Sequence, residues 1–384
     1  MGIVRLENLE AVVTDERDDA TSIIIEDGRI AEIGASKSEA SGSIDCTGLT
    51  AWTGFIDVHT HGAIGVDVNS ADTDGLLEVA RFLARNGVTA WLPTLVPDSD
   101  ENYTRIISAI DRLMSIQSGQ PVAQAVGVHY EGVFANEKMC GALRPEFFKS
   151  YTGVELDEIP RLAGGVHMTT FAPEVAGGVE LARELVRRGW IASIGHTAAG
   201  TDVLDRAHEA GARHLTHFYN AMTGLHHREL GVVGWALSQP DVTFDIIADG
   251  VHVHPKALDL ACRSKTPDNV SLISDSVAPT GLGDGEFEIW GEQVSVEHGR
   301  TRNERGSIAG SVITMLDAVK RMLSLGFTTG EVSRMASANP ARLLGLDDDI
   351  GSIAVGKRAD IVGLDESGEV RLVMIGGRVL VSEI

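Results

Sequence analysis

Cysteine is scarce in this chain. The 384 residues contain three, Cys46, Cys140 and Cys262. They are odd in number and far from any CxxC spacing, which argues against a disulfide framework or a thiolate zinc site and fits a reducing compartment. Positive charge is also short: 32 Lys and Arg stand against 55 Asp and Glu, a formal net charge of −23. That balance argues against nucleic acid and anionic membranes as partners, and any anionic ligand must be small and locally held. No apolar run approaches the roughly 20 residues of a membrane span. The first residues carry no apolar signal-peptide core, and Leu6 stands where a myristoylation signal wants Ser or Thr. A cytoplasmic, soluble protein is expected.

What the chain does have is apolar content, 43%, and glycine, 43 residues against a typical share of about 7%. A large core and many tight turns follow. Short β-rich pieces separated by turn signals occupy both ends, at 4–6, 11–14, 22–25 and 30–33, and again at 359–364, 370–375 and 379–381. Residues 1–53 and 347–384 are therefore expected to form one small β-sandwich domain. Between them, short apolar runs alternate with segments of helical period, the pattern of repeated βα units. Eight candidate strands lie at 55–58, 88–94, 125–129, 165–171, 190–195, 214–217, 243–248 and 270–274. Helices are expected over 74–86, 178–188 and 202–210, the last two ended by Gly189 and Gly211. The fold class is α/β, and residues 54–346 suit a (β/α)8 TIM barrel. A doubly wound sheet is the alternative, but no GxGxxG follows the first strand.

Barrel active sites assemble where strands end, and here those positions favour metal ligands. The first strand leads into His59 and His61, which at i and i+2 share one face. Glu131 ends the third run, His196 follows the fifth, His217 ends the sixth and Asp275 follows the eighth. A lone strand-end histidine is ordinarily a hydrogen-bonded or surface residue. Four histidines and two carboxylates at successive mouths instead make a nitrogen- and oxygen-rich set that suits Zn2+, Fe2+, Mn2+ or Co2+. His129, His167, His208, His214, His227 and His254 take supporting, core or surface places.

The runs from Gly54 to Gly62, His129 to Gly132, Phe171 to Glu174, Gly195 to Thr197, Thr216 to Met222 and Asp249 to His252 carry a resemblance. So do Ser274-Asp275, Leu282 to Gly285, Ala309 to Ser311, Asn339 to Ala341 and Gly356 to Asp360. In their order and spacing the whole chain resembles the amidohydrolase superfamily, and more narrowly the N-acetylglucosamine-6-phosphate deacetylases. The 21-residue spacing of His196 and His217 matches that family. The resemblance implies that Glu131, His196 and His217 bind one divalent ion, and that Glu131 takes the bridging place other amidohydrolases give a carboxylated lysine. The intervening Lys138 and Lys149 end no plausible strand. One or two ions are implied; since His59 and His61 are kept, a second held with Asp275 is preferred, and zinc is the expected metal. Asp275 would take a proton from the attacking water and pass it to the departing amine.

By the same resemblance, Asn220, Ala221 and His252 hold a sugar phosphate, Ala309 joins the substrate-binding set, and Arg228 reaches the active site of a neighbouring subunit in a homodimer. Arginine suits phosphate, and backbone N–H groups at a helix start suit anions. The pattern departs after Glu131-Gly132, where the family has proline and then a histidine that touches the sugar. This chain has Val133 and then Leu143-Arg144. Leu143 cannot make that hydrogen bond, so Arg144 is expected to reach into the site instead, or the loop to suit a different epimer. The expected activity is deacetylation of N-acetylglucosamine 6-phosphate to glucosamine 6-phosphate and acetate. The alternatives are the galactosamine epimer, or cyclic-amide hydrolysis or deamination on the same fold. A non-catalytic binding protein would predict a broken ligand set or a lost Asp275, and neither is seen.

Overall fold

The computed structural model describes residues 2–14, 20–34 and 42–382. Eight parallel strands run in sequence order around an almost closed barrel: β1 (Phe55–Thr60), β2 (Val88–Leu95), β3 (Gly127–Phe134), β4 (Val166–Phe171), β5 (Ile191–Ile194), β6 (His214–Leu215), β7 (Thr243–Ile247) and β8 (Val270–Ile273). This order excludes the doubly wound sheet, in which the strand order reverses at a switch point. The eight expected runs all become strands, with ends moved by a few residues. β1 and β3 extend further, so His59 and Glu131 lie on the strands themselves and His61 follows directly after β1. β6 stops earlier, which leaves His217 in the loop.

Helices over Thr73–Arg85, Gly178–Arg187 and Thr201–Glu209 cover the outside. The first starts where the Asp72 side chain accepts the Gly75 N–H at 2.8 Å and ends with Arg85 in its last turn, which satisfies an orphan donor and opposes the helix dipole. Gly189 and Gly211 follow the other two in left-handed conformations, φ 75° and 106°, as helix-ending glycines do.

The inside of the barrel is divided along its axis. Toward the N-terminal ends of the strands it is apolar, with Ile56, Val58, Ala90, Leu92, Met168, Ile247 and Ile273 packed against Ala341, Leu344 and Ile350. The Asn339 side chain seals that end, donating to the carbonyls of Pro267 at 2.7 Å and Val270 at 2.6 Å. Polar groups therefore collect at the other end.

Strands from the two chain ends form two small sheets. Val4–Glu7, Ile23–Glu26, Arg29–Ile33 and Gly42–Asp45 make one; Ala11–Val12, Thr50–Thr53, Ile361–Leu364, Val370–Ile375 and Arg378–Ser382 make the other. Leu6, Ile23, Ile25 and Ile30 pack with Ala51, Ile361, Leu372 and Met374 in a core of their own. Of the two end segments, residues 1, 15–19, 35–41, 383 and 384 lie outside the described residues. One element was not expected: an antiparallel sheet of Gly285–Ile289, Glu292–Glu297 and Arg300–Asn303, inserted after β8. Phe287, Ile289, Val294 and Val296 turn one side of it inward, while charged residues cover the other.

Close packing at the start of β3 generates a test. A Cβ on Gly127 would lie 2.0 Å from the Val166 carbonyl oxygen, so Gly127→Ala must part β3 from β4. A loss of about 1–3 kcal/mol is expected, read as a lower denaturation midpoint.

Candidate active site

Three devices bring the expected side chains to the mouth. At the end of β1 the extended backbone places His59 and His61, at i and i+2, on one face, with their Nε2 atoms 3.0 Å apart. On β3 the pairing with β4 shifts register just after Glu131, and Gly132 takes φ 73°. A Cβ there would lie 2.3 Å from Leu143 Cδ1, so glycine lets Leu143 close over the site. His196, His217 and Asp275 stand just beyond β5, β6 and β8 in left-handed conformations, φ 47°, 35° and 49°. Such a backbone costs a non-glycine residue on the order of 1–3 kcal/mol and collects at functional sites. Here it turns three chains sharply enough to gather their side chains at the mouth.

Two groups of three result: His59, His61 and Asp275, and Glu131, His196 and His217, all buried. Glu131 touches both. Its Oε1 lies 3.0 Å from the Nε2 of His196 and of His217 and 3.6 Å from that of His59, while Oε2 lies 3.3 Å from His61 Nε2. Asp275 Oδ1 is 3.5 Å from His59 Nε2 and 3.3 Å from His61 Nε2.

The donor set fits a divalent cation. The Nε2 atoms of His196 and His217 are 3.1 Å apart, a spacing that suits two ligands of one ion with metal–nitrogen distances of about 2.0–2.1 Å. Carbonyl oxygens of Thr94 and Met139 lie 3.2 Å from His61 Nδ1 and 2.8 Å from His196 Nδ1. A carbonyl only accepts, so each Nδ1 carries a proton and leaves Nε2 as the atom that faces the cluster and that would ligate an ion. The backbone N–H of His217 is held by the Asp245 carboxylate.

Asp57, fully buried, ties the seam where β8 meets β1. Its carboxylate accepts from Thr60 Oγ at 2.6 Å and Ser274 Oγ at 2.5 Å, and the Asp275 N–H donates to the His59 carbonyl at 2.9 Å.

Charge within the cluster is strongly coupled. Burial pulls the imidazoles of His61 and His217 toward neutrality, but the neighbouring Asp275 and Glu131 carboxylates outweigh it and push their pKa values up to about 10 and about 9. Burial raises the carboxyl of Glu131, and the His59 charge with hydrogen bonds from His196 and His217 more than reverses this, holding it well below the usual range. Asp275 is lowered in the same way, against burial, by His59 and His61.

A cavity of about 270 Å³ opens onto this cluster, lined by His61, Glu131, His196, His217 and Asp275 together with Leu143, Asn220, Ala221, His252 and Trp290. His252 is oriented by Asp249, whose Oδ2 lies 2.7 Å from its Nδ1. Other expected residues are placed elsewhere. Arg144 does not reach the cavity: it pairs with Asp98 at 2.7 Å, donates to the Pro97 carbonyl at 2.8 Å and lies over Phe147. Ala309 is buried in a small apolar cluster, and its neighbours Ile308 and Gly310 line the cavity instead. Arg228 is exposed beside His227 and does not line its own chain's cavity. Asn220 and Ala221 are not at a helix start, since the next helix begins at Gly231, and the Asn220 N–H is already given to the His217 carbonyl.

The remaining histidines are ordinary. His129 is buried between the Val58 carbonyl and Thr170, His214 lies beside Asp245, and His167 stacks on Trp190. His208 meets Asp241, and His254 caps the helix Pro255–Lys265.

The amidohydrolase family pattern matches residues 51–380. The N-acetylgalactosamine-6-phosphate deacetylase of Escherichia coli O157:H7 is 38% identical over 327 residues, covering 84% of this chain and 86% of that protein. The N-acetylglucosamine-6-phosphate deacetylase of Bacillus subtilis is 36% identical over 85% of this chain and 83% of that protein. This chain belongs to the amidohydrolases, in the N-acetylglucosamine-6-phosphate deacetylase family. The solved structure of the Thermotoga maritima deacetylase agrees with TM-score 0.87 at 31% identity, covering 98% of this amidohydrolase and 99% of that chain. A Mycobacterium smegmatis deacetylase solved with N-acetyl-D-glucosamine-6-phosphate gives TM-score 0.88 at 29% identity, covering 99% of each.

Sequence reasoning missed Asp57, Asp245 and Trp290. Asp57 stood in the quoted first motif, two residues before His59, where a buried carboxylate needs donors; nothing near Trp290 in sequence points to the mouth.

The raised imidazole pKa values have a measurable consequence. Near neutral pH the metal-free protein holds protons on His61 and His217, so loading with Zn2+ expels them, and affinity falls as pH falls. Calorimetry in two buffers of different ionisation heat reads this proton release. In the metal-free protein the same shifts stabilise the fold fully below the ordinary histidine pKa of about 6.5. That stability is lost as pH rises through about 9 to 10, so its Tm is expected to fall over that alkaline range.

Proposed function

We propose that this amidohydrolase removes the acetyl group of N-acetylglucosamine 6-phosphate by hydrolysis of its linear amide, giving glucosamine 6-phosphate and acetate. The observation that carries the reading is one cavity with two chemically distinct parts: two buried His and carboxylate groups sharing Glu131, with Asp275 among them, and an edge formed by Asn220, Ala221 and His252 that suits an anion. Deacetylase relatives at 31–38% identity support the substrate class. Cyclic-amide hydrolysis and deamination would leave that edge without use.

The proposed ligands are His59, His61 and Asp275 for one ion, and Glu131, His196 and His217 for another, with Glu131 shared. Zinc is the proposed metal; Fe2+, Mn2+ and Co2+ are alternatives for the same donors. A divalent ion in these places supplies a Lewis acid for the amide carbonyl and makes water more acidic. Asp275, ionised at neutral pH by its lowered pKa, takes the proton of the attacking water. It then returns that proton to the nitrogen, because an amide anion leaves poorly. Its side chain is 10% exposed, enough to meet substrate and little enough to exclude bulk water.

At the anionic end, His252 and the backbone N–H of Ala221 hold the phosphate with Asn220. Arg228, exposed on its own chain, is proposed to complete the phosphate site of a second subunit in a homodimer. Residues 54–346 act as the catalytic barrel, and 1–53 with 347–384 as its supporting β domain. The three cysteines are unpaired, in keeping with the cytoplasm as the proposed location.

Acetate release is the test. The metal-loaded protein is expected to act on N-acetylglucosamine 6-phosphate and far more slowly on the unphosphorylated sugar. The galactosamine epimer is assayed beside them because it names the substrate of the Escherichia coli relative. Binding without acetate release from any of the three would refute the proposal. Asp275→Asn is expected to lower kcat on the order of 10²–10⁴-fold, and chelation to abolish turnover until metal is restored.

A further inference from the structure

The sheet inserted after β8 sends its first hairpin turn into the mouth of the barrel. Trp290 sits on that turn with φ 54°, followed by Gly291 at 82°. Its ring stands edge-on to His61, with centroids 5.1 Å apart, and lines the same cavity as the ligands. The other tryptophans, Trp52, Trp91, Trp190 and Trp235, are at most 7% exposed, and none lines that cavity. The Trp290 indole N–H is buried and without a partner, so no hydrogen bond of its own fixes the ring there.

The surrounding structure fixes it instead. Glu292, two residues on, accepts from Asn303 Nδ2 at 2.7 Å and pairs with Arg305 at 2.9 Å. Arg305 also donates to the Ala142 carbonyl at 3.0 Å, which ties the hairpin to the loop carrying Leu143. Behind the ring lies a small core of Val277, Ile289, Val294 and Ala309. Trp290 and Leu143, with Ala142 and Ile308, thus form a braced apolar wall facing the polar cluster across the cavity.

The amide carbon of the substrate must sit beside Asp275 and the imidazoles. Its nitrogen leads through the sugar to the phosphate, and so toward His252. The acyl chain leaves the carbonyl carbon on the other side, toward the part of the mouth built by β1 and β8, where Trp290 faces His61. We propose that Trp290 is the specificity-determining wall for the acyl group and limits it to acetyl. This inference rests on the deacetylase reading above.

The test compares kcat/KM for the N-acetyl and N-butyryl forms of glucosamine 6-phosphate in the metal-loaded protein. The unaltered protein is expected to prefer acetyl strongly. Trp290→Ala is expected to raise the butyryl-to-acetyl ratio by about tenfold or more, the usual discrimination of a hydrophobic pocket for a methylene. Trp290→Phe, which keeps an aromatic ring against the small core, should move the ratio in the same direction by less, and serves if the alanine variant does not fold. Quenching of tryptophan fluorescence on adding N-acetylglucosamine 6-phosphate is expected in the unaltered protein and should be lost in Trp290→Phe. An unchanged ratio in an active, folded variant overturns the assignment of Trp290 alone. Failure of the unaltered protein to release acetate overturns the deacetylase reading and this inference with it.

Discussion

The Glu131 carboxylate lies within 3.6 Å of the Nε2 atoms of four histidines, and much of the mouth is arranged around that one group. A buried carboxylate is costly unless it is paired. Here each oxygen faces imidazoles supplied by a different part of the chain, so burying Glu131 requires β1, β5 and β6 to end at fixed places around it. The same carboxylate joins the two ligand groups into one cluster. Its position in turn depends on Gly132, where only a glycine leaves room for Leu143.

That requirement explains where backbone strain appears. His59 and His61, at the end of β1, need none, since the extended backbone already aligns them. His196, His217 and Asp275 come from chains that must turn abruptly after a strand, and each takes a left-handed conformation. Hydrogen bonds hold these turns: the Asp245 carboxylate on the His217 N–H, and the His59 carbonyl on the Asp275 N–H. The last also helps close the barrel between β1 and β8, so the seam of the fold and the geometry of the cluster are one feature. An apolar floor sealed by Asn339 leaves the strands' C-terminal end as the place for polar chemistry.

Much of this was legible in the sequence because it is local. Alternating apolar runs and helical periods announced the barrel, and the polar residues where those runs stop are the six side chains that the structure brings together. Arg144 was misplaced for a reason sequence cannot reveal: Asp98, far away along the chain, offers it a nearer carboxylate. Ala309 was misplaced because a small side chain is drawn into the apolar cluster behind the hairpin while its neighbours face the cavity. The inserted sheet went unseen although Phe287 and Ile289, and Val294 and Val296, alternate with polar residues about the turn at Gly291; the strands follow the eighth barrel run, where the repeat of βα units gives no reason to expect them.

By itself, then, the sequence determined the secondary-structure rhythm and which polar residues stand at the strand ends, both of which depend on residue type and spacing along one chain. Tertiary structure alone decided that Glu131 faces both groups, that Asp57 ties β1 to β8 and that Trp290 forms part of the cavity wall. Those contacts join residues tens to hundreds of positions apart, and which of many possible partners a side chain meets depends on packing in three dimensions.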